Sequence, residues 1–257
     1  MWNVLDGSNV LKIRGHTGWV LSLVFSPDGE YLASSSADFT IKVWNTSDWS
    51  EVKTISDHTD WVTQVVYSPD GKYLCSCSDD GTLKLWDTAD NWSFAMSLQG
   101  HTSFVNSVDF TPDGKYLVSA SDDTTIKVWN LDLGTIDHTI SPAHTNSVLS
   151  VKVTPDGTKI ISASADDTTK IWTIEGDQLF HFQDHWREVT SLAIRPDGKE
   201  FVSSSYDKTF KIYDIESGIM LRSVFAHYGL VLCVAYSPDN AHFATGSYDT
   251  DIKFWRS

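Results

Sequence analysis

With 257 residues, 41% apolar and 12% aromatic, the chain can bury a sizeable core in one domain or two. Its 34 acidic residues against 19 basic ones give a formal net charge of −15, which repels nucleic-acid phosphates and anionic membrane surfaces and favours basic or neutral partners. Cys75 and Cys77 lie two apart on a predicted strand and Cys233 stands alone, so no disulfide framework is expected and a reducing intracellular compartment, cytoplasmic or nuclear, follows.

No run approaches the ~18 apolar residues of a membrane-spanning helix, and the first residues lack the order of a secretory signal, so neither insertion nor secretion is expected. In chain order, Met1-Trp2-Asn3 is followed by a predicted strand from Val10, "VLKI", and by His16. Strands of the same kind start at Val52, Met96, Ile136, Leu179 and Met220, each a few residues before His58, His101, His144, His185 and His227. Between the histidines the apolar spacing is that of short strands separated by turn signals, and no run sustains a helical period. The chain therefore reads as all-β.

Repetition organises the whole sequence. The tetrapeptide Ser26-Pro27-Asp28-Gly29 recurs at Ser68 and, varied, at Thr111, Thr154, Arg195 and Ser237, a period of 41 to 43 residues. Pro-Asp-Gly combines a fixed φ, an Asx-type side-chain bond and a residue tolerant of positive φ, so it predicts a hairpin between the first two strands of each unit; Asn240 replaces glycine in the last. Each unit closes on an aromatic: Trp44, Trp86, Trp129, Trp172, Tyr213 and Trp255. Six residues before each stands an aspartate, at Asp38, Asp80, Asp123, Asp166, Asp207 and Asp249. Four residues earlier again stands a hydroxyl, at Ser34, Ser76, Ser119, Ser162, Ser203 and Thr245.

This pattern resembles the WD-repeat β-propeller family over essentially the whole chain, although Trp-Asp itself occurs only at Trp86-Asp87. The resemblance implies one buried network per blade. Aspartate accepts from histidine, histidine accepts from the hydroxyl, and the hydroxyl accepts from the tryptophan N–H, so every member is satisfied. Tyr213 departs from this, and blade five is expected to be the least well tied.

Three strands after each of six outer strands make 24, or six four-stranded antiparallel blades in a single propeller over residues 1–257. Closure is expected from residues 10–13, which would complete the sixth blade and remove its exposed edge. Residues 1–9 admit two readings. They are a displaced tail, or the remnant of a preceding repeat in a longer array of seven or more blades, because Trp2 stands 14 residues before His16 just as Trp44 stands before His58.

Ser, His and Asp in this order also describe a hydrolase triad. Six copies argue against catalysis, as do hydroxyls occupied by an indole N–H and buried between blades, so no enzyme is expected. The pairs Asp79–Asp80, Asp122–Asp123 and Asp166–Asp167 lack the spaced oxygen ligands of a calcium loop and read as turns, so no metal or cofactor is expected. Lys42, Lys84, Lys127, Lys170, Lys211 and Lys253 are strand residues whose stems should lie along the sheets.

In the family, partners dock on the face carrying the histidine loops, through the residues three and five beyond the histidine and the residue before the aspartate. On this sequence those positions nominate Trp19, Trp61, Phe104, Leu230, Leu21, Asp79, Asp122, Tyr206 and Tyr248 as partner-binding residues. Aromatics beside carboxylates suit a protein or peptide segment carrying basic and apolar residues. The leading function is a non-catalytic interaction scaffold. The alternatives are the propeller portion of a larger regulatory protein and a propeller that binds a small molecule, or acts on one, through its central channel. Docking to a ubiquitin ligase is disfavoured, since Thr88-Ala89 follows Trp86-Asp87 where those family members carry Trp-Asp-x-Arg.

Overall fold

A computed structural model describes residue 8 and residues 10–257. Blade one holds β1 (Val20–Phe25), β2 (Tyr31–Ser36), β3 (Ile41–Asn45) and β4 (Glu51–Ile55). Blade two holds β5 (Val62–Tyr67), β6 (Tyr73–Ser78), β7 (Thr82–Asp87) and β8 (Ser93–Gln99). Blade three holds β9 (Val105–Phe110), β10 (Tyr116–Ser121), β11 (Ile126–Asn130) and β12 (Thr135–Ile140). Blade four holds β13 (Val148–Val153), β14 (Lys159–Ser164), β15 (Thr169–Thr173) and β16 (Gln178–Phe182). Blade five holds β17 (Val189–Ile194), β18 (Glu200–Ser205), β19 (Thr209–Asp214) and β20 (Met220–Phe225). Blade six holds β21 (Val231–Tyr236), β22 (His242–Ser247) and β23 (Ile252–Arg256).

Each blade is an antiparallel meander in sequence order. The first hairpin follows from local chemistry. In blade one the Ser26 hydroxyl accepts from the Tyr31 N–H at 2.9 Å, the Asp28 carboxylate accepts from the Glu30 N–H at 2.9 Å, and Gly29 takes a φ of 74°. Asn240 takes the same left-handed place with a φ of 61°.

Inner strands pack successively from β1 through β5, β9, β13 and β17 to β21, and five apolar cores fill the seams between the six blades among the described residues. Side chains also cross the seams. The Val108 N–H donates to Gln64 Oε1 at 2.9 Å, and the Val153 N–H donates to Asp109 Oδ2 at 2.9 Å.

Two expectations need correction. Residues 10–13 are not a strand, and the sixth sheet has three strands, giving 23 among the described residues. The physical reason is that β21 does not pack on β1 as the other inner strands pack on their neighbours, so the segment leading into β1 stays beside blade one, away from the edge of β23. Residues 11–16 instead line a cavity of about 750 Å³ with Leu23, Leu32 and Trp44 of blade one. Trp2 and the expectation attached to residues 1–7 and 9 lie outside the described residues.

Candidate functional site

The loops of one face are anchored by the repeated polar network. In all six blades the histidine Nδ1 lies 2.7–3.0 Å from the aspartate, for the pairs His16–Asp38, His58–Asp80, His101–Asp123, His144–Asp166, His185–Asp207 and His227–Asp249. Nε2 lies 2.6–2.8 Å from Ser34, Ser76, Ser119, Ser162, Ser203 or Thr245. A carboxylate can only accept, so Nδ1 carries the proton and Nε2 accepts from the hydroxyl.

Four networks finish on an indole. Trp44, Trp129, Trp172 and Trp255 donate to the hydroxyl oxygen at 2.8–3.0 Å. The other two blades differ. In blade five the Tyr213 phenol donates to Asp184 at 3.2 Å, the residue that stands where blades one and three have glycine before histidine. In blade two the Trp86 N–H is buried and has no partner, so the blade with the only Trp-Asp pair carries the orphaned indole. The expectation that blade five would be least well tied therefore needs amending.

Electrostatics follow from this wiring. Burial raises the Asp123 carboxyl, but the bonds from His101 and Thr125 outweigh it and hold the group well below the usual carboxylate range. Burial holds His101 and His144 below the ordinary imidazole value against the pull of Asp123 and Asp166. The serine hydroxyls of blades one, three and four are buried and receive an indole N–H, so none of the three is presented as a free nucleophile.

The network sets the outer loops. In every blade the N–H of the residue before the aspartate donates to the carbonyl three beyond the histidine: Ala37 to Trp19, Asp79 to Trp61, Asp122 to Phe104, Ala165 to Ser147, Tyr206 to Glu188 and Tyr248 to Leu230, at 2.8–3.0 Å. The nominated positions thus meet in pairs around one face. Trp19, Trp61, Phe104 and Tyr248 are exposed, whereas Tyr206, Leu230, Asp79 and Asp122 are half-buried. Trp19 and Trp61 form an edge-on pair with ring centroids 5.9 Å apart. Phe104, Tyr206 and Tyr248 make no ring contact with that pair among the described residues. Leu21 belongs to the central channel, a space of about 560 Å³ that it lines with Thr63, Asn106, Leu149, Thr190 and Leu232.

Charge gathers on one side of the channel mouth. Burial, then the charges of Asp60, Asp122 and Asp80, push Asp79 up to about 6. Asn106 donates to Asp122 at 2.7 Å and ties it to the channel wall. Across the mouth, burial followed by Glu188 and Tyr248 raises Tyr206.

Sequence reasoning missed Trp186 and Tyr228, both exposed on the same loops. They directly follow His185 and His227, where blades one to four have threonine, and that departure from the repeat was the available signal. Arg187 lies 5.7 Å from the Trp186 ring and Lys253 5.9 Å from Tyr228. The six lysines behave as strand residues. Lys127 and Lys211 are buried, and Lys170 and Lys253 each donate to the carbonyl of the residue before a network histidine, Ala143 or Ala226, at 2.7 Å.

Comparison with known proteins agrees with this architecture. The model of the WD domain, G-beta repeat, matches residues 7–45, 49–87, 92–130, 134–173, 176–214 and 218–256. The chain is also similar to Lissencephaly-1 homolog 1 of Paramecium tetraurelia, at 42% identity over 43 residues, which are 17% of this chain and 11% of that relative. Six matches in register with six sheets establish that this chain belongs to the WD-repeat family.

Proposed function

We propose that the chain is a non-catalytic interaction module whose histidine-loop face holds a protein or peptide segment carrying lysine or arginine among apolar residues. The observation that carries this reading is the backbone bond repeated in every blade, which fixes Trp61 beside Asp79 and Phe104 beside Asp122. Exposed rings give contact area at small entropic cost, and adjacent carboxylates favour a cation over the ring faces. A net charge of −15 adds attraction at a distance. The buried, indole-capped hydroxyls support a role without catalysis.

The test is an array of twelve-residue peptides mixing Arg or Lys with Leu or Phe, beside copies with the basic residues replaced by Glu. The basic set should bind, Trp61→Ala and Tyr248→Ala should each weaken it about tenfold with unchanged circular dichroism, and added salt should weaken it further. Equal binding by the acidic set, or by both variants, overturns the proposal.

A further inference from the structure

The residue after each network histidine is held in the same way in all six blades. Its N–H donates to the network aspartate at 2.9–3.4 Å, whether it is threonine, as in blades one to four, or Trp186 or Tyr228, as in blades five and six. The backbone is thus fixed, while the side chain stands in solvent in every blade. Threonine meets the needs of the fold in four blades, yet Trp186 and Tyr228 place large rings there, 65% and 82% exposed. A third residue departs from the repeat in the same way. At the end of the outer strand, blades one to four carry the exposed Ser56, Gln99, Ser141 and Gln183, whereas blade five carries Phe225, 61% exposed and edge-on to Tyr228 with ring centroids 6.0 Å apart. Rings set in water where other copies of the same unit have small polar side chains mark a contact surface, since packing gives no reason for them.

We propose that Trp186, Phe225 and Tyr228 are the apolar half of a two-ended binding face: they hold the large apolar side chains of the partner segment, whose basic residues lie over Asp60, Asp79 and Asp122 on blades two and three. Charge decides which end goes where. At blades five and six the chain's own cations already sit against the rings, Arg187 5.7 Å from the Trp186 centroid and Lys253 5.9 Å from that of Tyr228. A partner's cation would meet like charge there, and an apolar side chain would not. At blades two and three the Asp60 carboxylate accepts from the Trp61 N–H, and Asp79 and Asp122 are bonded through their own N–H groups to the carbonyls of Trp61 and Phe104. No cation stands over either of those rings among the described residues. Blades two and five are three apart in the series, on opposite sides of the channel mouth, so a segment that reaches both ends crosses that mouth. This inference rests on the reading that the histidine-loop face holds a basic and apolar segment, and it assigns each half of that segment its place.

The probe is a fluorescent peptide with a run of arginines at one end, a flexible Gly-Ser spacer of about ten residues and Leu-Phe-Leu at the other, beside a copy in which serines replace Leu-Phe-Leu. Trp186→Thr and Tyr228→Thr restore the residue of the first four blades, so circular dichroism and melting should be unchanged. Each should weaken the Leu-Phe-Leu peptide about tenfold and the serine copy less than about twofold, while Trp61→Ala weakens both. If the two threonine variants bind the Leu-Phe-Leu peptide as the parent does and Trp61→Ala binds it more weakly, the aromatic patch is overturned and the proposed function stands. Equal weakening of both peptides also overturns the patch, since it would then not be reading apolar side chains. If Trp61→Ala is silent and the threonine variants act as expected, the patch stands and the place given to the basic residues falls. Binding of neither peptide overturns both readings.

Discussion

The seam between blades five and six and the seam between blades six and one are built from residues at the same repeat positions, yet one is core and the other is surface. Phe210 is edge-on to both Phe243 and Trp255, with ring centroids 5.0 and 4.8 Å away, and is fully buried. Ile252, at the place of Phe210 one blade later, is half exposed. Nothing in the sequence pattern separates them; the presence of a neighbouring blade does. Burial in a repeat fold is thus a property of pairs of units, and stability is a sum over seams.

The sharpest way to break this comparison is to put a charge on each side of it. Val108→Asp buries an unpaired carboxylate in the sealed core between blades two and three and should cost more than about 3 kcal/mol, with loss of cooperative unfolding. Leu23→Asp, at the same repeat position in the open seam, should cost less than about 0.5 kcal/mol. Chemical denaturation of the two variants beside the parent measures both.

A smaller effect separates network from turn. Asp123→Ala leaves the buried His101 Nδ1–H without its acceptor, at about 1–3 kcal/mol, while Asp113→Ala removes only turn bonds in an exposed hairpin and should cost less. Equal losses would contradict the network's structural role.

Smaller again is the contrast between two tryptophans that both lie fully buried. Trp129→Phe deletes a 2.8 Å bond to Ser119, a loss of about 1 kcal/mol beyond the change in packing. Trp86→Phe deletes an N–H that already has no partner and should lose only the packing. Thermal melts of the two variants compare them directly.

Most of the fold was legible because its determinants are local. The Pro-Asp-Gly hairpins, the 41–43-residue period and the fixed offsets from histidine to hydroxyl, aspartate and closing aromatic all act within one unit, so one chain states the same pattern six times. Closure was not legible, because it depends on contact between Val20 and Ile252, more than two hundred residues apart, and on the pitch of every seam between them. At the site, the paired positions such as Trp61 and Asp79 could be placed by register, whereas the turn of Tyr213 toward Asp184 could not, since that contact is made outside the repeated offsets. The orphaned Trp86 had no signal at all, as blade two has the same His, Ser, Asp and Trp as blade three.

The smallest expected effect concerns pH. Asp79 is raised to about 6 by burial and by Asp60, Asp122 and Asp80, so its folded value lies above the ~3.9 of an unfolded chain. A raised group contributes stability that is complete below about pH 4 and lost as pH rises through about 6. Asp79→Asn should therefore stabilise at pH 7.5 by about 1 kcal/mol or less, given solvent screening at a half-exposed site, and should give no gain at pH 4. A gain of the same size at both pH values would assign it to something other than charge.

Hydrogen exchange across the strands, read by mass spectrometry on the 257-residue chain, tests the contrast between sealed and open seams most directly. Slow exchange is expected through β10, β14 and β18, whose neighbours seal both faces, and fast exchange through β23, the edge of the last sheet among the described residues. Protection of β23 equal to that of β11 would show the last seam shut and would contradict it.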